Sequence, residues 1–342
     1  MSEKIDAPSL EQVEEGIQTK LKQLSAVTEE VGKVIVGQKS VIEELLICIL
    51  AGGHCLLEGV PGLAKTLMVN TLSETMKLDF HRVQFTPDLM PSDIIGTEIL
   101  EEDHASGKRF FKFQKGPVFT NILLADEINR TPPKTQAALL EAMQEKHVSY
   151  AGETHQLPKP FFVLATQNPV EQSGTYPLPE AQLDRFLMFV RVDYPTESEE
   201  MEILKRTTGN LKVELESLMD DQTLVELQAL TRSVEISEPM LGYVTQLARN
   251  TRPDISCVDS VKQYVRWGAG PRSGQALVLC AKAKALLSHR YSVTLEDIAF
   301  VAPSVLRHRI LLNFQAEADG KRSDDIILDL MTNVDKPASD IG

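Results

Sequence analysis

Cysteine is scarce in this sequence, which has four in 342 residues, at Cys48, Cys55, Cys257 and Cys280. No two of them are closely spaced, and no cysteine–histidine cluster has the spacing of zinc ligands. A disulfide framework or a structural zinc site is therefore excluded as the basis of the fold. We expect reduced thiols in the core of a cytoplasmic protein.

Positive charge is also in short supply, because 35 lysines and arginines face 49 acidic residues and leave a net charge of −14. Such a field repels nucleic-acid backbones and anionic lipid surfaces, so it disfavours nucleic acid as a partner. Long apolar runs are missing as well. The most apolar stretch, 45–57, is broken by Gly52-Gly53 and is too short for a bilayer. The acidic N-terminus, 1–15, does not resemble a signal peptide. We expect no membrane span.

The length of the chain and its 42% hydrophobic residues are sufficient for about two domains with a sizeable core. Apolar residues at three- and four-residue steps predict helices over 9–34 and 38–51. We expect an N-terminal helix (1–34), an α/β core (35–195), a helical lid domain (196–335) and a flexible tail (336–342).

Short apolar runs alternate with helical segments in the first half of the chain. Runs of this length without polar alternation are typical of strands buried on both faces of a parallel sheet. The expected fold class is therefore α/β, a doubly wound parallel five-stranded sheet with helices on both faces. The predicted strands are 54–58, 80–85, 121–126, 161–166 and 186–192, and the predicted helices are 65–77, 134–145 and 178–184.

Two hairpins interrupt that alternation. Residues 98–100 and 109–113 flank a turn at Ala105-Ser106-Gly107, and residues 147–150 and 154–157 flank a turn at Ala151-Gly152-Glu153. From Glu197 onward the pattern is almost entirely helical, which predicts the all-α lid. Its predicted helices are 197–207, 220–231, 238–251, 271–288 and 294–300.

One segment carries a phosphate-binding motif between a predicted strand and a predicted helix. It reads Gly59-Val60-Pro61-Gly62-Leu63-Ala64-Lys65-Thr66, followed by Leu67. Backbone N–H groups at a sharp turn and a helix N-terminus bind phosphate, so this context is that of a P-loop. We expect Lys65 to reach the β- and γ-phosphates and Thr66 to ligate magnesium. Ala64 stands where the pattern has glycine, and we expect helical dihedrals there.

An acid pair follows a second apolar strand. Asp126 and Glu127 end the run 121–126, about 60 residues after the loop. We expect Asp126 to hold magnesium and Glu127 to act as the general base that polarises the attacking water. A kinase would not need Glu127 at this position, whereas a hydrolase does.

Four further segments resemble those of AAA+ ATPases. Asn168 matches the polar residue that positions water against the γ-phosphate, although an Asn-Pro turn would give the same residues. Arg185 resembles the arginine finger that one subunit offers to its neighbour. Arg272, in the first turn of a predicted helix, resembles a lid arginine that closes over the nucleotide. Val36-Gly37 resembles the segment that meets the adenine. The alternative for Arg185 is a surface Asp–Arg pair, and the alternative for Arg272 is a solvated terminal arginine.

Three longer runs narrow the resemblance to the MoxR family of AAA+ ATPases. They read FTPDLMPSDIIG at 85–96, LLADEINRTPPKTQ at 123–136 and GTYPLPEAQ at 174–182. The resemblance covers about residues 30–310 and implies ATP and magnesium as cofactors and a homo-oligomeric ring, usually hexameric. It also implies that the first hairpin is an insert in helix 2, that the second precedes the Asn168 strand, and that the protein remodels clients. A client or partner with a von Willebrand factor A domain is the family's implication and is not legible in these residues.

Other functions remain open at this stage. The interleaved basic and aromatic residues of 108–115 could grip single-stranded nucleic acid, which would suit a translocase, although a half-buried hairpin shows the same alternation. A metal-chelatase motor subunit would share this core. A binding module that does not hydrolyse nucleotide is disfavoured by the presence of Glu127.

Overall fold

The computed structural model describes residues 10–102, 109–169, 174–209 and 213–337. Those residues form fourteen α-helices and eleven strands. The helices are α1 (Leu10–Val34), α2 (Lys39–Leu50), α3 (Lys65–Thr75), α4 (Pro91–Ile95), α5 (Pro133–Glu145), α6 (Glu180–Leu183), α7 (Glu197–Thr208), α8 (Asp221–Ser233), α9 (Glu238–Asn250), α10 (Asp259–Tyr264), α11 (Pro271–Leu287), α12 (Leu295–Leu306), α13 (Phe314–Ala318) and α14 (Ser323–Asn333). The strands are β1 (Cys55–Glu58), β2 (Phe80–Gln84), β3 (Gly96–Glu102), β4 (Arg109–Lys115), β5 (Ile122–Asp126), β6 (His147–Tyr150), β7 (Glu153–Gln156), β8 (Phe162–Gln167), β9 (Met188–Arg191), β10 (Val265–Trp267) and β11 (Leu311–Leu312).

Five of the strands form a parallel sheet in the order β2-β5-β8-β1-β9. Its central strands are short apolar runs, and successive residues point to opposite faces. Leu57 belongs to a core cluster with Leu46 of α2 and Met68 of α3. Its neighbour Leu56 belongs to a second cluster with Leu139 of α5. Helices therefore cover both faces, and the predicted doubly wound α/β sheet is confirmed.

The prediction that the strands are buried on both faces was wrong for one of them. β2 is the outermost strand on one side of the sheet, and it exposes His81, Arg82 and Gln84. Only the five-residue α4 follows it before the chain enters β3, so little of the chain is available to cover this strand.

Both predicted hairpins are present, with β3 antiparallel to β4 and β6 antiparallel to β7. The predicted turn at 105–107 and Lys108 lie outside the described residues. Aromatic side chains join the two hairpins, because the Phe113 ring stacks on His155 with centroids 4.2 Å apart. The hairpins therefore form one projection from the sheet.

The C-terminal part is helical from α7 onward, as predicted, with one addition. β10 and β11 pair antiparallel as a small ribbon. The predicted helix 294–300 continues to Leu306 as α12, and α10, α13 and α14 were missed. The predicted flexible tail lies outside the described residues beyond residue 337. Of the four cysteines, three are buried and free as expected, but Cys257 is exposed, which corrects the prediction of a core thiol.

Candidate active site

The glycine-rich loop links the end of β1 to the start of α3, as the sequence predicted. Gly59 is required by close packing, because a Cβ there would come within 3.0 Å of both the Cβ and the carbonyl oxygen of Val192. Gly62 has a φ of +88°, which is the left-handed region that favours glycine. Pro61 and Gly62 are exposed, whereas Val60 and Leu63 are partly buried. The loop thus presents its backbone to solvent above the sheet.

Ala64 departs from the expected right-handed helical dihedrals. It lies at φ 54° and ψ 23° and is the N-cap residue of α3. This left-handed conformation costs an L-residue about 1–2 kcal/mol because its Cβ approaches the following carbonyl. The sequence prediction was wrong here, since the residue before the lysine forms part of the turn and not of the helix.

Lys65 lies inside the curve of its own loop. Its Nζ donates a hydrogen bond of 2.5 Å to the carbonyl oxygen of Gly59. Burial lowers the pKa of Lys65, and Asp126, Glu127 and Glu58 oppose that shift. The ammonium is thus held where phosphate oxygens would lie if the loop bound a triphosphate.

The acid pair lies at the carboxyl end of β5, next to the loop. Thr166 of β8 connects the two acids, since its Oγ1 donates to Asp126 Oδ1 at 2.5 Å and accepts from the Glu127 N–H at 2.9 Å. Glu127 has a φ of 58°, a left-handed backbone that turns its side chain out of the strand line. Strained backbone of this kind clusters at functional sites.

Three polar partners of these acids were missed by the sequence reasoning. Arg82 donates from Nε and from a terminal nitrogen to Asp126 Oδ2, at 3.2 Å and 2.7 Å. Gln84 donates to Glu127 Oε2 at 2.9 Å, and Arg130 pairs with the same oxygen at 3.0 Å. Arg82 and Gln84 are two residues apart on β2, so they lie on the same face of the strand. They reach the acids because β2 is the neighbour of β5 in the sheet. For Arg82 and Gln84, the only signal in the sequence was the alternation of polar and apolar residues along the strand.

Asn168 directly follows β8, and its side chain is buried. β8 lies between β5 and β1, so Asn168 stands between the acid pair and the loop. The preceding Gln167 donates to Glu58 at the end of β1 at 2.8 Å. The parallel sheet therefore brings Gly59, Asp126, Glu127 and Asn168 to its carboxyl edge. This is the edge along which the strands end, and ligands of such sheets bind there.

A cavity of about 750 Å³ lies between α1, α2 and the end of α11. Val36 and Gly37 line it, together with Ile35, Ile42 and Leu287. Its walls are largely apolar, as the site for a flat heterocyclic base would be. Leu67, at the start of α3, is half-exposed and does not line this cavity.

Arg185 and Arg272 lie together, but at the opposite edge of the sheet from the loop, where the strands begin. Arg185 precedes β9, and β9 runs parallel to β1, so it is near the start of β1, where the Leu187 N–H donates to the His54 carbonyl. Five residues along the strand, about 16 Å, separate His54 from Gly59. Arg272 pairs with Asp184 at 3.7 Å and lines a cavity with Arg185 and His54.

The expected closure of Arg272 over its own loop is thus contradicted by its position. It stands in the first turn of α11, a helix of 17 residues whose other end, Leu287, lines the cavity at Val36 and Gly37. At 1.5 Å per residue those ends are about 25 Å apart. A cation in the first turn of α11 indicates a nearby anion, but the sequence does not show which chain supplies it.

Comparisons with known proteins agree with this architecture. The model of the ATPase family associated with various cellular activities (AAA) matches residues 54–188, and the AAA lid domain model matches residues 259–330. Chaperone MoxR1 of Mycobacterium tuberculosis is 44% identical over 89% of this chain and 80% of its own length. The chain belongs to the MoxR family of AAA+ ATPases.

Two further relatives extend that similarity. The uncharacterised protein YeaC of Bacillus subtilis is 42% identical over 92% of this chain and 95% of its own. A crystal structure from Cytophaga hutchinsonii, described as that of a candidate ATPase, is 47% identical with a TM-score of 0.88. It covers 95% of this chain and 98% of that one. This MoxR-family chain is accordingly an ATP hydrolase.

The donor set of this MoxR-family site suits magnesium. Thr66 is the second residue of α3, Asp126 ends β5, and both offer oxygen ligands at the same sheet edge. Magnesium is commonly held by one or two such oxygens together with substrate phosphates. Among the described residues no cluster of three histidines, cysteines or acids could hold a metal by itself. The described helices include none with the length and apolarity of a membrane span.

Proposed function

We propose that this protein is a ring-forming, magnesium-dependent ATPase whose active sites lie between subunits. One subunit supplies the loop 59–66, Asp126, Glu127 and Asn168, and its neighbour supplies Arg185 and Arg272. The observation that carries this proposal is the position of the two arginines at the sheet edge opposite their own loop. A head-to-tail arrangement brings opposite edges of successive subunits together and forms a ring when the rotation between subunits closes.

Each residue then has a role in hydrolysis. The loop N–H groups and Lys65 bind the triphosphate, and Val36-Gly37 meet the base. Water attacks the γ-phosphorus, the bond to the β–γ bridging oxygen breaks, and Glu127 accepts the proton of the water. Asn168 orients that water. Arg185 and Arg272 meet the charge on the transferring phosphoryl oxygens. Magnesium, held by Thr66 and Asp126, would neutralise phosphate charge.

Glu127 must exchange its partners before it can serve as the base. Gln84 and Arg130 both contact its Oε2, so that oxygen is not open to an attacking water until these contacts separate. Gln84 lies on the edge strand that leads to α4 and the β3–β4 hairpin. Movement of that hairpin would therefore reach the base through Gln84.

The task of the ATPase cycle is the remodelling or maturation of a client protein. The name of the relative MoxR1 includes the word chaperone, and metal insertion into a client with a von Willebrand factor A domain is the more specific form of this proposal. The translocase alternative loses its main support, because Arg109 and Lys112 pair with Glu102 and Glu101 across the hairpin. A chelatase motor would use the same divided site and differ in its partner.

Mixing of two inactive variants tests the divided site. Lys65→Ala removes triphosphate binding, and Arg272→Ala removes the arginine. If Arg272 acts on a neighbour, mixed rings contain some interfaces with an intact loop facing an intact arginine, and ATPase activity returns. No recovery on mixing, with both variants still assembled, would place Arg272 in the site of its own chain. Glu127→Gln serves as the control, because it binds ATP without turnover.

A further inference from the structure

Two groups of large apolar side chains are exposed near the two halves of the divided site. The lid patch consists of Trp267 and Phe314, which are 73% and 84% exposed. The core patch consists of Tyr194, Met201 and Leu204, which are 71%, 53% and 61% exposed. Exposed apolar groups of this size mark interaction surfaces when they cluster.

The lid patch is joined covalently to the arginine edge. Trp267 ends β10, and residues 268–270 lead directly to Arg272. This connection is fixed, since the Ala269 N–H donates to Thr251 Oγ1 at 2.8 Å and Arg252 Nε donates to the Ala269 carbonyl at 3.0 Å. The lid patch and Arg272 therefore keep a constant relative position.

The partner strand of the ribbon connects to the same edge. Trp267 pairs with Leu311 of β11, and Phe314 begins α13 three residues later. Arg309, two residues before Leu311, is buried and pairs with Asp184 at 2.8 Å, next to Arg185. Both strands of the ribbon thus lead from the lid patch to the residues that hold Arg185 and Arg272.

The core patch lies beside the phosphate loop. Tyr194 follows Val192, which contacts Gly59, and Asp193, whose carbonyl accepts from Gln38 Nε2 at 2.9 Å. α7 begins three residues later, and its Glu199 touches Gly37. Met201 and Leu204 are three residues apart, so they lie on the same face of α7.

α7 is covered less than an ordinary surface helix. None of its twelve residues is buried, although a surface helix normally buries one apolar stripe. Its Arg206 is used to hold the end of α1, where it donates to the Lys33 carbonyl at 2.9 Å. The apolar face at Met201 and Leu204 has no equivalent cover within the described part of the chain.

We propose that the lid patch of one subunit packs on the core patch of the next copy of this chain. This inference rests on the proposed function, because the same head-to-tail contact that buries both patches brings Arg185 and Arg272 to the neighbour's loop. The acids of the loop edge already pair with arginines of their own chain, since Arg82 binds Asp126 and Arg130 binds Glu127. Charge favours the same pairing when nucleotide is bound, because the exposed Arg185 and Arg272 then face an anionic triphosphate. A patch at each edge suits a heterologous contact, which closes a ring, and not a two-fold one.

Trp267 is the only tryptophan of the sequence, so its fluorescence reports on this contact alone. In a Glu127→Gln background with ATP and magnesium, raising the protein concentration should shift the emission to shorter wavelength as the ring forms. The shift should follow the oligomeric mass measured in parallel. Assembly with no change in Trp267 emission would overturn the proposal.

Two substitutions test the pairing of the patches. Trp267→Asp removes the lid patch, and Met201→Asp removes the core patch. Each should weaken assembly by about 30-fold or more, the effect of a central aromatic or apolar anchor. ATP binding by the separate subunits should stay unchanged, which shows that both variants are folded. Phe111→Asp is the matched control, because Phe111 is 71% exposed on the β4 hairpin and should assemble normally.

Mixing of the two variants gives the decisive result. A Met201→Asp subunit still has its lid patch and arginines, and a Trp267→Asp subunit still has its core patch and loop. Together they can form one intact contact with one complete site, so ATPase activity should return in a dimeric species. Absence of recovery would overturn the pairing.

Failure of the patch proposal can be distinguished from failure of the proposed function. If Lys65→Ala and Arg272→Ala complement each other but Trp267→Asp assembles like wild type, only the patch proposal fails. If those two loop and arginine variants do not complement each other, the divided site fails first.

Discussion

The left-handed backbone of Ala64 gives a prediction whose magnitude follows from the structure. Ala64→Gly removes a penalty of about 1–2 kcal/mol for an L-residue at φ 54°. Glycine loses about 0.5–1 kcal/mol more conformational entropy on folding, so the net gain is about 0.5–1 kcal/mol. The folded loop already has this backbone, so the gain should appear as a higher free energy of unfolding, measured in urea, and ATP affinity should stay unchanged. Titration of ATP into a Glu127→Gln background measures that affinity without turnover.

A matched substitution outside the loop checks this reasoning. Ala151 has a φ of 49° in the turn between β6 and β7, far along the chain from the loop. Ala151→Gly should raise the free energy of unfolding by a similar amount and leave ATP affinity unchanged. If Ala151→Gly is stabilised and Ala64→Gly is not, the left-handed backbone of Ala64 is not a source of strain in the folded loop, and the reasoning fails.

Two further predictions concern charged groups of the core. Arg82→Gln removes a partly exposed partner of Asp126, an interaction worth up to about 1 kcal/mol. Half-maximal ATPase activity should therefore need about two- to fivefold less magnesium. An unchanged magnesium requirement would show that Arg82 does not compete for that carboxylate. Burial raises the pKa of Glu44 to about 7, and the unfolded-state value is lower, so the native state binds the extra proton between these values. Stability should therefore fall as pH rises through that range and level off above about 7. Glu44→Gln should relieve up to about 3 kcal/mol at pH 8 and far less at pH 5 in urea unfolding; a benefit that does not depend on pH would contradict the assignment.

Much of the nucleotide edge could be predicted from the sequence, because each of its parts is local. Gly59 to Thr66 needs only a strand, a turn and a helix start in succession. Asp126 and Asn168 each end an apolar strand, and parallel strands end at one edge. The length of α5 and both hairpins followed from periodicity and turn residues in the same way.

Other contacts depend on which helices and strands become neighbours in the fold, and the sequence does not reveal this order. Arg82 meets Asp126 only because β2 pairs with β5. The backbone of Ala64 is set by the turn that precedes it, whereas propensity suggested a helix. α14 was missed although it ties the lid to the core, where Asp324 pairs with Arg191 at 2.6 Å and with Arg307 at 2.9 Å.

The same ion pairs explain why Arg272 does not fold back over its own loop. The lid is fixed to the β9 side of the sheet by Arg309, which pairs with Asp184 and donates to the Phe186 carbonyl at 2.8 Å. Breaking this pair leaves the buried Arg309 guanidinium without its partner, which is destabilising although Asp184 is 32% exposed. A swing of α11 by the length of that helix would break this pair and the Asp324 pairs together. A neighbouring subunit can use Arg272 where it stands, with the lid held rigid, and this energetic difference supports a site completed between chains.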